Sequence, residues 1–266
     1  MGISLKDLIP QVQINAPFGF LVDKYLEVFL REGLNPEIGL DAHALRHYPK
    51  KVFQRVARAF HQAGRTITLH GPFQDLLPGA WDDGILAASR RRLGQAFRWL
   101  PVFKPVSIVC HPGYEDRLYR WDRENWLRRA AATWQELAQP AQDLGVALML
   151  ENVYETDPRL FLDLLELIQA PNVKVCLDVG HLSAFGGGNF PLWLKTLGPV
   201  IGQLHLHDNH GDDDDHLALG AGRIPLEDIL NYLAAQGPPP IITLEPHQEG
   251  SLRPSLEYLA RIWPWG

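Results

Sequence analysis

Seven residues able to hold a metal or move a proton each stand at or just beyond the end of a short apolar segment of this 266-residue chain: His70, His111, Glu151, Asp178, His181, His205 and Glu245. The segments are Thr66–His70, Val106–His111, Ala147–Asn152, Val173–Asp178, Ile201–His207 and Ile241–Glu245. Carboxylates and imidazoles drawn together in a desolvated place repel or lose hydration unless something compensates. A divalent cation does so, since it neutralises carboxylates and takes imidazole lone pairs. The types and placement therefore point to metal chemistry. Asp212 to Asp215 form an acidic run followed by His216. Asp212 and Asp213 read as solvated, whereas Asp214 and His216 join the candidate ligands because their loop follows the seventh segment. His207 shares strand parity with His205 but lies further out, which suits a supporting or substrate-facing role. Asp208, His210 and His247 fall near the same mouth, and His43, His47 and His61 fall outside the constellation. Nothing in the sequence suggests an activated thiolate at Cys176, which reads as a small interior filler.

The elements that must position these residues follow from periodicity. Two weaker segments, Val12–Asn15 and Glu37–Leu40, bring the candidate strands to eight. Between them, Arg123 to Leu144 repeats apolar residues three or four apart, as one helical face does. Pro49 to Gly64, Trp81 to Trp99, Pro158 to Ile168 and Pro225 to Gln236 read similarly, and Gly33, Gly64 and Gly237 are expected to stop helices. Strands alternating with helices imply a parallel sheet, and eight units of about 33 residues imply an α/β fold, a (β/α)8 TIM barrel in a single domain over residues 1–266. An open doubly wound sheet is disfavoured, because no glycine-rich turn follows the first strand. In a barrel every strand ends on one face, so the candidates converge there. The residues two positions before the strand-end candidates predict an interior layer of Thr68, Val109, Met149, Cys176, Gln203 and Thr243. Cys110, offset by one, is expected to face the helices.

Composition removes other classes. With 46% hydrophobic residues the chain has material for a core, and no apolar run is long enough to span a membrane. Two cysteines and no secretory segment suit a reducing cytoplasm. A formal charge of −6 argues against long-range attraction to nucleic acid.

The motifs T-L-H-G-P-F (Thr68–Phe73), C-H-P-G-Y (Cys110–Tyr114), L-E-N (Leu150–Asn152), C-L-D-V-G-H (Cys176–His181), L-H-L-H-D-N (Leu204–Asn209), D-D-H-L-A-L-G-A-G (Asp214–Gly222) and T-L-E-P (Thr243–Pro246) resemble the xylose-isomerase-like TIM-barrel superfamily. The resemblance runs from about residue 66 to 246. That superfamily holds sugar and sugar-phosphate isomerases and epimerases, and also endonuclease IV of AP endonuclease family 2. The ketose-epimerase branch implies one divalent metal on Glu151, Asp178, His205 and Glu245. It makes Glu151 and Glu245 the proton carriers through an enediolate, with His181 touching substrate. That branch usually carries an arginine near the position where His210 and Gly211 stand here. The endonuclease IV branch implies three zinc ions on nine residues: His70, His111, Glu151, Asp178, His181, His205, Asp214, His216 and Glu245. Phe73 matches a substrate-contacting aromatic there. The arginine clusters Arg90–Arg92 and Arg128–Arg129 fall in helices rather than rim loops, so duplex DNA is the less favoured partner. The reading is a metal-dependent sugar or sugar-phosphate isomerase/epimerase using one to three zinc or manganese ions, with a phosphodiester hydrolase as the alternative. Phe73, His207 and Glu37 are the expected substrate contacts.

Overall fold

The computed structural model describes residues 2–266. Eight strands, β1 (Val12–Pro17), β2 (Asn35–Gly39), β3 (Thr68–His70), β4 (Ser107–Cys110), β5 (Ala147–Glu151), β6 (Val173–Asp178), β7 (Ile201–Leu206) and β8 (Ile241–Leu244), pair in chain order. All pairs are parallel, and β1 pairs with β8 to close the barrel. One longer helix follows each strand. These are α1 (Leu26–Glu32), α2 (Lys50–Gln62), α3 (Asp83–Phe97), α4 (Arg123–Asp143), α5 (Arg159–Ile168), α6 (Phe190–Leu197), α7 (Leu226–Ala234) and α8 (Glu249–Ile262). The expected (β/α)8 architecture is thus present. Among the described residues no helix is long and apolar enough to cross a membrane.

Strand ends differ from the periodicity by a residue or two, for local reasons. β3 starts at Thr68 rather than Thr66, because the Thr66 N–H is taken by the Asn35 side chain at 3.1 Å instead of a strand partner. Gly33 and Gly64 do end α1 and α2, with φ of 70° and 66°. Gly237 does not end α7. That helix stops at Ala234, and Gly237 lies in the following loop, where its carbonyl accepts the Trp265 indole N–H at 3.0 Å. Trp263 is buried against the main core, with Trp265 packed at 5.0 Å beside it.

Alternation along the strands sorts residues to two sides. Ile14, Ile38, Leu69, Ile108, Cys110, Leu148, Leu150, Leu177, Leu204 and Leu244 face the helices and form one continuous apolar shell. Val109, Met149 and Cys176 form a separate small apolar cluster inside the barrel. Both cysteines lie on the sides that alternation assigned. The other half of the interior is polar, with Thr68, Gln203 and Thr243 fully buried.

Phe53 on α2 anchors one sector of the outer shell. It stacks on Phe18 at 4.2 Å and on Trp99 at 4.0 Å and is fully buried. Replacing Phe53 by Ala should therefore cost roughly 3–5 kcal/mol in urea unfolding. A cost below about 1 kcal/mol would show that this sector collapses to fill the gap.

Candidate metal centre

The register sets the heights of the mouth residues. Asp178 lies opposite His205 across the β6–β7 pair. His111, His181, Asp214, His216 and Glu245 sit just beyond strand ends, in the loops of the same face. The structure brings all nine residues named for the metal together. Glu151 is the centre of the group, at 1% exposure. Its Oε2 lies 3.0 Å from His70 Nε2 and 3.3 Å from His111 Nε2. Its Oε1 lies 3.2 Å from His181 Nδ1 and 3.4 Å from His205 Nδ1. His205 Nδ1 is also 3.1 Å from Glu245 Oε1 and 3.8 Å from Asp178 Oδ2. On the outer side, Asp214 Oδ2 lies 3.0 Å from His216 Nε2 and 3.5 Å from His181 Nε2.

Four of these imidazoles share one arrangement. His70 Nδ1 meets the Gly71 carbonyl at 2.8 Å, and His216 Nδ1 meets the Glu245 carbonyl at 3.1 Å. His181 Nδ1 meets the Asn152 carbonyl at 3.0 Å, and His205 Nε2 meets Glu37 Oε1 at 3.0 Å. An N–H donated to each of these acceptors leaves the other nitrogen as a lone pair facing the carboxylates, which is how histidines are held around a metal. Several buried polar atoms of the cluster, Asp178 Oδ2, His205 Nδ1 and Asp214 Oδ1, have no hydrogen-bond partner among the described residues. Unpaired buried acceptors beside bare imidazole nitrogens fit a divalent cation. Donor atoms close enough to share one ion occur in the groups His70–His111–Glu151, Glu37–His205–Glu245, Asp178–His181–His207 and His207–Asp214–His216.

The electrostatics agree with the geometry. Burial opposes charge on each imidazole. Nearby carboxylates outweigh it at His70 and His216, and drive His181 and His205 well above the ordinary range. At His111 burial wins, and its basicity falls. Burial would raise Glu151, but His205 and His111 hold it well below the usual carboxylate range. Burial raises Glu245, with the Asp178 and Glu151 charges adding to it. Without a cation, protons on imidazoles do the neutralising.

Two substrate expectations need correction. Glu37 is not a wall of the mouth. It is fully buried inside the barrel below the cluster, where Asn15, Thr68, Gln203, Thr243 and His205 surround its carboxylate. His207 does not face open space either. It is 1% exposed, its Nε2 lies 3.2 Å from Asp178 Oδ1, and its ring stacks on His216 at 3.7 Å. Gly180 makes this possible, since a Cβ there would overlap the His207 ring. Phe73 does stand at the rim, 45% exposed and stacked on His111 at 4.6 Å.

Asp208 has a role that spacing did not reveal. Its carboxylate accepts backbone N–H groups from Asn209, Gly220, Gly222 and Ile224 at 2.9–3.1 Å. Its backbone also bridges to Leu217. This clasp closes the loop that carries Asp214 and His216, and His216 itself adopts a positive φ of 47°.

Glu155, in the loop after β5, is 2% exposed, and burial raises its pKa to about 7. The unfolded chain ionises this group near 4.5, while the native protein keeps the proton. Native stability should therefore fall as pH rises from about 4.5 to 7, by roughly 3 kcal/mol in all, and stay level above. Glu155→Gln should remove this fall. In chelator-treated protein the variant should gain on the wild type between pH 5 and pH 8 in urea unfolding. An unchanged difference between the two across that range would refute the burial account.

Comparison with known proteins places the chain. Residues 26–262 match the family described as "Xylose isomerase-like TIM barrel". An uncharacterised protein of Methanocaldococcus jannaschii, MJ1311, is 28% identical over 186 residues, 67% of this chain and 64% of its own length. A second from that organism, MJ1614, is 30% identical over 159 residues, 59% of this chain and 61% of its own. The chain thus spans somewhat under two thirds of the curated relatives it matches. Among solved structures, the TTHB071 protein from Thermus thermophilus, soaked with ZnCl2, has a TM-score of 0.82 at 24% identity, covering 95% of this chain and 97% of that one. A D-tagatose 3-epimerase-like protein reaches 0.81 at 22% identity, covering 95% and 96%. D-psicose 3-epimerase with D-tagatose from Clostridium cellulolyticum H10 reaches 0.77 at 20%, covering 96% and 100%. These likenesses establish the fold. With the sequence match running through seven of the eight strands, the chain belongs to the xylose isomerase-like TIM-barrel family.

Proposed function

We propose that this protein is a divalent-metal-dependent isomerase or epimerase of a sugar or sugar phosphate. The observation that carries the reading is the set of four imidazoles, each anchored at one nitrogen and turned at the other toward a carboxylate of the mouth, Glu151 for His70 and His205 and Asp214 for His181 and His216. Fold neighbours that include a D-tagatose 3-epimerase-like protein and D-psicose 3-epimerase support the sugar class.

Glu151, Asp178, His205 and Glu245 would hold the principal zinc or manganese ion. Such a cation polarises a carbonyl and its neighbouring hydroxyl and so acidifies the C–H between them. The rest falls to the chain. Glu151 Oε1 and Glu245 Oε1 both approach His205 Nδ1, at 3.4 and 3.1 Å, so they flank one point from different strands. Two carboxylates so placed suit a base and an acid on either side of a carbon that loses and regains a proton. His181, anchored on Asn152 and partly open to the mouth, is placed to hold a substrate oxygen. Phe73 offers an apolar face beside it.

Specific donors favour a second reading. His70 and His111 on one side, and Asp214 and His216 on the other, lie outside the four-residue set yet close donor groups of their own. A trinuclear zinc phosphodiester hydrolase resembling endonuclease IV would use them all. The rim weighs against a DNA substrate. Lys24, Arg117, Arg123 and Arg159 are engaged by Glu249, Glu115, Asp163 and Asp157, which leaves them poorly placed to neutralise phosphates.

Two measurements decide. Glu151→Gln should slow the exchange of substrate C–H into deuterated solvent by about 10²–10⁴-fold, the usual contribution of a positioned proton carrier. Undiminished exchange would sink the isomerase reading. Metal analysis of the purified protein should find one ion per chain, and His70→Ala and His216→Ala should leave that exchange unchanged. Three tightly held zinc ions together with phosphodiester cleavage would transfer the assignment to the hydrolase.

A further inference from the structure

The Glu37 carboxylate is fully buried, and its surroundings are fully determined. Oε1 lies 3.1 Å from Asn15 Nδ2 and 3.0 Å from His205 Nε2. Oε2 accepts from Thr68 Oγ1 at 3.1 Å, Gln203 Nε2 at 2.6 Å and Thr243 Oγ1 at 3.1 Å. The Gln203 amide cannot turn over without loss, because Ser107 Oγ donates to its Oε1 at 2.7 Å. Every other neighbour of this carboxylate is thus a donor. A carboxylate so supplied stays an acceptor, and the nitrogen facing it must carry a proton. His205 is the one member of the imidazole group whose anchor is a carboxylate rather than a backbone carbonyl. Its other nitrogen, Nδ1, is buried with no hydrogen-bond partner among the described residues and faces Glu151, Glu245 and Asp178.

We propose that Glu37 is a positioning residue that fixes His205 with its proton on Nε2 and its lone pair on Nδ1, and so sets the strength of the inner cation site. The inference rests on the metal reading above and assigns Glu37 a task distinct from substrate contact. A carboxylate behind a ligating imidazole orients the ring, fixes its tautomer and raises its basicity as a ligand, and losing such a partner usually weakens metal binding 10–100-fold. Thr68, Gln203, Thr243 and Asn15 are then the frame that keeps Glu37 in place. This accounts for the polar half of a barrel interior whose other half is apolar.

The test is zinc affinity, measured by chelator competition on chelator-stripped protein, together with 15N–1H correlation of the histidine rings in the zinc-loaded state. Wild type should show His205 with a slowly exchanging proton on Nε2 and zinc on Nδ1. Glu37→Gln should weaken the tightest zinc site about 10–100-fold and lose that protected proton. If the variant does not fold, Glu37→Asp decides, since it keeps the charge but withdraws it from His205. Thr68→Val, which disturbs the frame without touching His205, should weaken zinc binding less than threefold and keep the Nε2 proton. Wild-type affinity in the Glu37 variant, zinc on His205 Nε2, or a wild-type protein that binds no zinc would each overturn the proposal. Affinity that depends on Glu37 in a protein inert toward every ketose would uphold it while removing the isomerase reading.

Discussion

The mouth of this barrel is organised around one electrostatic constraint: Glu151 is almost wholly removed from water, and four imidazoles lie within 3.4 Å of it. A carboxylate in that position is too costly to leave uncompensated. Asp178 and Glu37, both fully buried, carry the same cost. The imidazoles answer it either as protonated partners or as lone-pair donors to a cation. The anchors on His70 and His205 favour the second role, because each ring gives one nitrogen to a fixed acceptor and so presents the other to Glu151. The charge on Glu151 and the orientation of the histidines are two sides of one arrangement.

The barrel makes that arrangement possible by register. The parallel register sets Asp178 and His205 side by side, with Glu151 one strand away. Residues two positions lower form the floor. Beneath Glu151 and Asp178 that floor is Met149 and Cys176, which exclude water. Beneath His205 it is Gln203, which hydrogen-bonds Glu37 and supports the histidine from below. The outer donors Asp214 and His216 are not on strands at all. They depend on a loop that the Asp208 carboxylate closes through four backbone N–H groups. The inner donors are thus built into the rigid sheet, and the outer ones are held by a clasp.

This division explains what could be read from the chain alone. His70, Glu151, Asp178, His205 and Glu245 were legible because each ends a short apolar run, and a period of two fixes which way such a residue points. The barrel followed from the count of those runs. Glu37 was misplaced because β2 is only Asn35–Gly39 and its apolar signal is weak, so a carboxylate there looked like a mouth residue. The donors that hold it come from strands 22 to 206 positions away in the chain. His207 was misplaced because the space it fills belongs to Gly180, and no local pattern links the two. Asp208 satisfies backbone groups, which carry no side-chain signature. Alternation encodes direction, but it does not encode which buried polar groups find one another.

Charge balance finally ties the number of cations to the chemistry available. Glu37, Glu151, Asp178, Asp214 and Glu245 are ringed by His70, His111, His181, His205, His207 and His216. One divalent ion offsets two of these five carboxylates and leaves the remainder to protons on imidazoles or carboxyls. Protonated groups then persist at the mouth, where they can serve as acids. Three ions more than offset all five, and they require the ligating imidazoles to be neutral. The mouth then has metal charge in place of mobile protons, which suits a phosphate ester better than a C–H bond. Each added ion must displace protons, so the balance between the two states shifts toward fewer ions as pH falls.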